Sequence, residues 1–453
     1  MKVVKFGGSS LADANQIRKV CDIVLSDRER RIVVVSAPGK RFDSDIKVTD
    51  MLIELASKKL NNEDYAETLE NIVDRYRQIA IGLGLGEDAV EFVKQDLTDR
   101  LNSNVDSDAK FIDLMKAAGE DNTAKLVAKY FNFIGEKAVY MNPKDAGMLL
   151  SNDYGNARVL KKTYDNLAKL RDMEELVIFP GFFGYSEDGE VVTFSRGGSD
   201  VTGSVIAAAV NATVYENFTD VDYVFCANPK VIKDPKPISY FTYEEMRELS
   251  YAGFNVLHEE TLEPVYRKKI AVNIRNTNNP QSPGTMIVPA ERAERVSGEN
   301  PVVGIAADKG FITVHVEKYM MNREIGFGRR LLTIFEKEGV SYEHAPSGID
   351  SISVIVKERN CPKDKLERIT DAIRKELEVD DVVVEHGLAI IMLVGRGMSR
   401  TVGIASRATS AIARANVNIR MINQGSSEVS IMFGVHEDDV EKSLIALYDE
   451  FFR

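Results

Sequence analysis

An α/β layered domain with a mostly parallel sheet, followed by two copies of a smaller α+β unit, is the architecture this sequence predicts. Three observations carry it. Apolar runs of strand length alternate with helical stretches from Lys2 to Ile274, the pattern of a sheet covered by helices on both faces. Prolines and glycines then crowd together between Thr277 and Pro301 (Pro280, Pro283, Gly284, Pro289, Gly298, Pro301), which marks a domain boundary. Beyond that boundary a constant offset of 77 residues relates Ser353 to Ser430, Val340 to Val417, Gly310 to Gly387 and Arg330 to Arg407. It also relates Val314 to Ile391 and Val316 to Leu393, so strand register and side-chain face are both kept.

The elements follow in order. Lys2–Phe6 reads as a strand, Gly7-Gly8-Ser9-Ser10 breaks it, and Ile17, Val20, Cys21, Val24 and Leu25 recur at helical spacing. Ser10 with Asp13 has the spacing of a capping box that would start this helix. Arg31–Ser36 is a near-continuous apolar strand, and similar runs recur at Lys137–Met141, Leu176–Phe179, Val191–Phe194, Thr213–Tyr215 and Ile270–Ile274. The acidic stretch Glu87–Asp113 reads as a solvated helical face. Each repeat reads strand, strand, helix, strand, helix. The second ends at Arg453 straight after its last helix, with no room for a closing strand. Val302–Ala306 is expected to supply that strand, interleaving the two units.

Composition excludes several classes. With 453 residues, 44% apolar and 28% charged, the chain has material for about two to four packed domains and is neither disordered nor low-complexity. Its 58 basic and 70 acidic residues give a net charge of −12, a poor match to nucleic acid or to an anionic membrane. Cys21, Cys226 and Cys361 form no CxxC pair and no disulfide framework. No apolar run approaches the ~20 residues of a membrane span, and Met1–Gly8 lacks the features of a signal peptide. A soluble, cytoplasmic protein is expected, with small molecules or other subunits as partners.

Two loops carry the chemistry. In Lys5-Phe6-Gly7-Gly8-Ser9-Ser10, a lysine at a strand end precedes two glycines and two hydroxyls. Glycines let backbone N–H groups approach an anion, a helix N-terminus adds donors and partial positive charge, and lysine adds a full charge. The alternative is an ordinary tight turn with an N-cap. A Walker A loop is excluded, because the lysine precedes the glycines. Ser195-Arg196-Gly197-Gly198-Ser199-Asp200 repeats the pattern before the apolar helix Val201–Val210. Two such loops at opposite ends of one sheet would grip two anionic groups, and Arg196 can clamp a carboxylate or phosphate in a bidentate way. Asp200 would orient Lys5, bind Mg²⁺ or cap the helix. Gly82–Gly86 and Gly395–Gly397 lack the dinucleotide fingerprint. The five histidines (His258, His315, His344, His386, His436) include no i, i+4 pair, so structural or surface roles are expected of them and not a zinc site.

Lys5-Phe6-Gly7-Gly8-Ser9, then Arg196–Asp200 and Thr219-Asp220-Val221-Asp222, resemble the aspartate kinase branch of the amino acid kinase family. The stretch Asn416–Glu428 is similar to that family's second ACT domain. The resemblance covers essentially the whole chain in order. It implies an amino acid kinase-like αβα sandwich over 1–295 and ferredoxin-like ACT domains over 302–378 and 379–453. It implies phosphoryl transfer from MgATP to the side-chain carboxylate of L-aspartate, giving 4-phospho-L-aspartate, the first step toward lysine, threonine and methionine. Lys5 would bridge the β- and γ-phosphates, Gly7, Gly8 and Ser9 would cradle them, and Asp200 would organise Lys5. Thr49, Glu120, Arg196 and Ser199 would hold the amino acid, Glu120 through its ammonium group and Arg196 through its α-carboxylate.

On the nucleotide side the resemblance points to Thr219, Asp220, Phe225 and Lys230. Here the sequence departs from the family: Phe225 replaces a tyrosine, Asn228-Pro229-Lys230 replaces Asp-Pro-Arg, Asn255 replaces a lysine and Glu259 a proline. Weaker or rearranged ATP binding is expected. Met320, Gly326, Gly328, Ser341 and Glu343 of the first ACT unit are the candidates for an amino acid effector; lysine, threonine, both or none are compatible with two ACT units. Such sites sit at subunit interfaces, which implies a homodimer or homotetramer. The competing readings are a kinase for another amino acid on the same fold and a catalytically weak amino acid sensor.

Overall fold

The computed structural model describes residues 1–195, 197–254, 257, 259–293 and 300–453. Arg196, Asn255 and the middle of the Pro/Gly-rich connection lie outside the described residues. Two compact units are present, and both are discontinuous in sequence. One gathers Met1–Val224, Pro237–Tyr243 and Asn255–Val296; the other gathers Phe225–Lys236, Glu244–Phe254 and Ser297–Arg453.

The first unit is built on an eight-stranded sheet. From one edge to the other its strands are Tyr240–Thr242, Thr285–Val288, Ala271–Asn276, Val214–Thr219, Lys2–Phe6, Arg30–Val35, Leu176–Pro180 and Ala138–Tyr140. The last six run parallel, and the first two run against them. Val3, Val4, Phe6 and Ile32–Val35 are all buried, which explains why these strands read as unbroken apolar runs. From Lys2–Phe6 the chain moves on to Arg30–Val35 on one side, while Val214–Thr219 lies on the other. Strand order therefore reverses at Lys2–Phe6, and the crevice beyond its C-terminal end is where open α/β sheets bind ligands.

Three expectations are corrected here. Val191–Thr193 does not join the main sheet; it pairs antiparallel with Phe183–Tyr185 in a separate ribbon. Ser10 does not cap the first helix. Gly8–Leu11 forms a 3₁₀ turn, the α-helix spans Ala14–Leu25, and Asp13 caps it by accepting from the Gln16 N–H at 2.9 Å. Ser10 is instead buried and bonded to the Thr277 hydroxyl at 2.7 Å. Asp113 is not on a solvated face. It is 1% exposed, accepts from the Gly155 and Thr193 amides and the Thr193 hydroxyl, and pairs with Lys116. A lone carboxylate in such a place needs these partners.

The second unit contains one antiparallel five-stranded sheet in the order Ser351–Lys357, Gly304–Glu317, Asp381–Val394, Ser430–His436, Met421–Gln424. The two 14-residue strands, Gly304–Glu317 and Asp381–Val394, are related by the 77-residue offset at both ends. They pair with each other antiparallel, Gly304 opposite Val394 and Glu317 opposite Asp381, as a two-fold relation between repeats requires. Gly304–Asp308 thus lies against Ile390–Val394 of the second repeat, while Phe311–Glu317 also pairs with Ser351–Lys357 of its own. Gly310 and Gly387 sit midway along these strands with φ of +80° and +71°, a backbone that costs a side-chain-bearing residue about 1–2 kcal/mol. The offset also carries helix Phe327–Lys337 onto Ile404–Arg414. The repeats differ at one edge: Met421–Gln424 is a full strand, but its counterpart keeps only bridges at His344 and Ser347.

Candidate active site

Lys5 is the next-to-last residue of its strand and 7% exposed. Its Nζ lies 2.5 Å from Oδ1 of Asp200, in the first turn of helix Gly198–Ala209. The same oxygen accepts from Asn217 Nδ2 at 2.9 Å. Asn217 is Lys5's cross-strand neighbour, so the parallel register itself sets both groups on one carboxylate. The Tyr215 hydroxyl donates to the Asp200 backbone carbonyl at 3.1 Å and ties the helix start to the sheet. Asp200 is therefore an ion-pair partner and not a helix cap; the cap position belongs to Gly197, at φ +74°. The two Gly-Gly loops converge on one end of the sheet instead of occupying opposite ends.

Glycines allow this convergence. A Cβ on Gly39 would stand 2.6 Å from the Gly8 backbone, and one on Gly181 would stand 2.7 Å from Ser199 Oγ. The Gly39 amide donates to the Gly8 carbonyl at 2.8 Å. Gly119, inside the long helix Asp108–Phe133, lets that helix approach Ala37, Val48 and Leu52. Thr49 and Glu120 each follow a residue of that contact, Thr49 in the half-exposed first turn of helix Val48–Leu60.

Glu120 is buried, and burial pushes its carboxyl up to about 8 from the ordinary 4.5. The Ala37 backbone and the Ser199 hydroxyl offset this in part. Its Oε2 has no hydrogen-bond partner. A buried carboxylate oxygen with unspent capacity is costly alone and receptive to a cationic donor. Ser9 is exposed and Gly7 and Gly8 half-exposed, so the turn after Lys5 is open to an anion.

Of the residues expected to meet the nucleotide, Thr219 ends its strand and its hydroxyl donates to Asp220 at 3.1 Å. Phe225 and Lys230 fall in the second compact unit. In the first repeat, Met320 is left-handed (φ +60°), and a Cβ on Gly326 or Gly328 would meet nothing within 4 Å. Ser341 is exposed. Glu343 accepts from the Tyr251 hydroxyl at 2.5 Å. The sequence reading missed Asn217, Gly39, Gly181 and Tyr215, none of which stands in a motif.

The model of the amino acid kinase family matches residues 1–276, and an ACT domain model matches 391–451. Aspartokinase 3 of Bacillus subtilis is 52% identical over 452 residues, spanning 100% of this chain and 99% of its own. The chain belongs to the aspartate kinase branch of the amino acid kinase family. The crystal structure of the Clostridium acetobutylicum aspartate kinase, described as an allosteric enzyme, matches over the full length of both chains at 37% identity and a TM-score of 0.87. Escherichia coli aspartokinase III in complex with aspartate and ADP has the same fold at 24% identity, a TM-score of 0.74 and full coverage of both chains. As a member of this branch the chain is an enzyme, a phosphotransferase with ACT-type repeats. Among the described residues no helix is long and apolar enough to cross a membrane.

Proposed function

We propose that the protein transfers the γ-phosphoryl group of ATP to the side-chain carboxylate of L-aspartate, releasing ADP and 4-phospho-L-aspartate. The observation that carries this reading is the presence, around the C-terminal end of the central strand Lys2–Phe6, of a buried lysine held by Asp200, itself bonded by Asn217, and of a buried, incompletely bonded Glu120 beside Ser199. The full-length likeness to the Bacillus enzyme supports the substrate.

A carboxylate is already a nucleophile at neutral pH, so the reaction needs alignment and cancelled repulsion between anions more than it needs a base. Lys5 meets the β- and γ-phosphates and offsets the charge that develops between them, with Gly7, Gly8 and Ser9 as donors around it. Asp200 and Asn217 keep the ammonium aimed. Glu120 takes the ammonium group of aspartate, Thr49 and Ser199 flank the substrate, and Arg196 takes its α-carboxylate. Thr219, Asp220, Phe225 and Lys230 serve the nucleotide. A magnesium ion bound with the nucleotide would supply further neutralisation of the phosphate charge.

In this reading residues 1–295 form the catalytic domain and 302–378 and 379–453 the two ACT domains. The enzyme works in the cytoplasm as a homodimer or homotetramer joined through the ACT domains. Lysine, threonine or both act at Met320, Gly326, Gly328, Ser341 and Glu343. The test is ADP release on a panel of amino acids, each with and without added lysine and threonine. Aspartate-dependent turnover inhibited by one of them is expected. Faster turnover on glutamate, or none on any substrate, would discard the proposal.

A further inference from the structure

The loop from Pro38 to Lys47 joins the strand Arg30–Val35 to the helix that bears Thr49. It is not held by apolar burial: Phe42 and Ile46 are 58% and 52% exposed. Buried charge holds it instead. The Asp45 carboxylate accepts from Arg41 through the backbone N–H at 2.9 Å, Nε at 2.9 Å and Nη2 at 3.0 Å. From the helix Ala66–Leu83, Arg75 Nη2 reaches both Asp45 oxygens at 2.8 and 2.9 Å. Arg75 is itself buried. Its Nη1 donates to the Gly39 carbonyl at 3.1 Å and its Nη2 to the Ile46 carbonyl at 3.2 Å. One guanidinium therefore binds both ends of the loop and the carboxylate between them. The Val48 amide closes the neck on the Pro38 carbonyl at 3.1 Å.

What this loop touches is the site. Gly39 has no slack against Gly8, Ala37 faces Glu120, and Thr49 follows directly. We infer that Arg75, with Asp45, is a positioning residue that sets the aspartate side of the cleft without touching substrate, an inference that rests on the phosphotransferase reading above. The planar fork of arginine is required, because the acceptors on Gly39, Asp45 and Ile46 diverge; lysine offers a point charge and cannot span them. Losing either partner leaves the other buried and unpaired. The phosphate loop has anchors of its own, since the Gly7 amide donates to the Phe218 carbonyl and the Ser10 amide to the Gly7 carbonyl. Loosening the clamp should therefore fall on aspartate more than on ATP.

Full-length Arg75→Lys and Asp45→Asn, with wild type beside them, test this through KM for each substrate, kcat, melting temperature and hydrogen exchange of residues 38–49. The expected result in both variants is an aspartate KM raised about tenfold or more, an ATP KM changed less than about threefold, and faster exchange across 38–49. The double variant should lose little more than either single one. A lowered melting temperature with both KM values unchanged would make the pair merely structural and overturn the inference, as would unchanged exchange across 38–49. A wild-type enzyme without aspartate-dependent turnover would instead overturn the phosphotransferase reading, and the exchange measurement would still judge the clamp.

Discussion

At the C-terminal ends of the strands of the eight-stranded sheet the ionisable groups are inside: Lys5, Asp45, Arg75 and Glu120 are all buried. In the paired repeats the order is reversed. Their corresponding loops hold apolar side chains in solvent, Ile325 at 99% exposure and Val402 at 100%, at the same place in the 77-residue repeat. Each precedes a left-handed glycine, Gly326 or Gly403, that opens a helix. Buried charge in a low-dielectric surround is sensitive to geometry and protonation. Exposed apolar groups on open loops gain only when something covers them. The first region thus fixes ionisable side chains in place, and the second leaves two apolar side chains in solvent at equivalent positions.

The contrast can be broken most severely at Lys5. Lys5→Ala should lower turnover by about a thousandfold, since it removes the one full positive charge on the phosphate turn and strands Asp200. Steady-state ADP release is the measurement, and retention of a tenth of wild-type kcat would contradict the assignment. Next comes Glu120. When its site is empty, burial lifts the folded carboxyl to about 8, above the ordinary 4.5. The folded state therefore keeps a proton that the unfolded chain has released, and stability falls as pH rises from about 4.5 to about 8. Glu120→Gln should abolish that part of the slope in melts taken across the window. It should also raise the aspartate KM roughly 10- to 100-fold, because the amide cannot offer the incoming ammonium a carboxylate.

Smaller effects belong to the repeats. Gly310→Val or Gly387→Val forces a branched side chain into the left-handed region at the centre of a shared strand and should cost about 1–2 kcal/mol in denaturant unfolding. Because the two strands pair with each other, the two variants should behave alike. Ile325→Ser should leave folding within about 0.5 kcal/mol while shifting sedimentation toward smaller species. Unchanged assembly would separate that exposed side chain from subunit contact.

Much of the fold could be read locally. Apolar runs marked strands with covered faces, Gly-Gly breaks marked their ends, and the constant offset carried whole helices from one repeat onto the other. Local reading failed where a partner came from afar. Val191–Thr193 has the composition of a core strand, yet it pairs with Phe183–Tyr185. Ser10 has capping spacing, yet its hydroxyl bonds Thr277. Asp113 lies in an acidic run, yet it is buried by bonds to Gly155 and Thr193.

Side-chain periodicity, turn chemistry and internal repetition are properties of neighbouring residues, and they sufficed for the elements, the glycine loops and the twofold repeat. The meeting of Asn217 with Asp200 and of Asp45 with Arg75 depended on strand register and on how distant elements pack. Those are set by which ends of distant elements coincide once the core has closed, and no window of the chain records them.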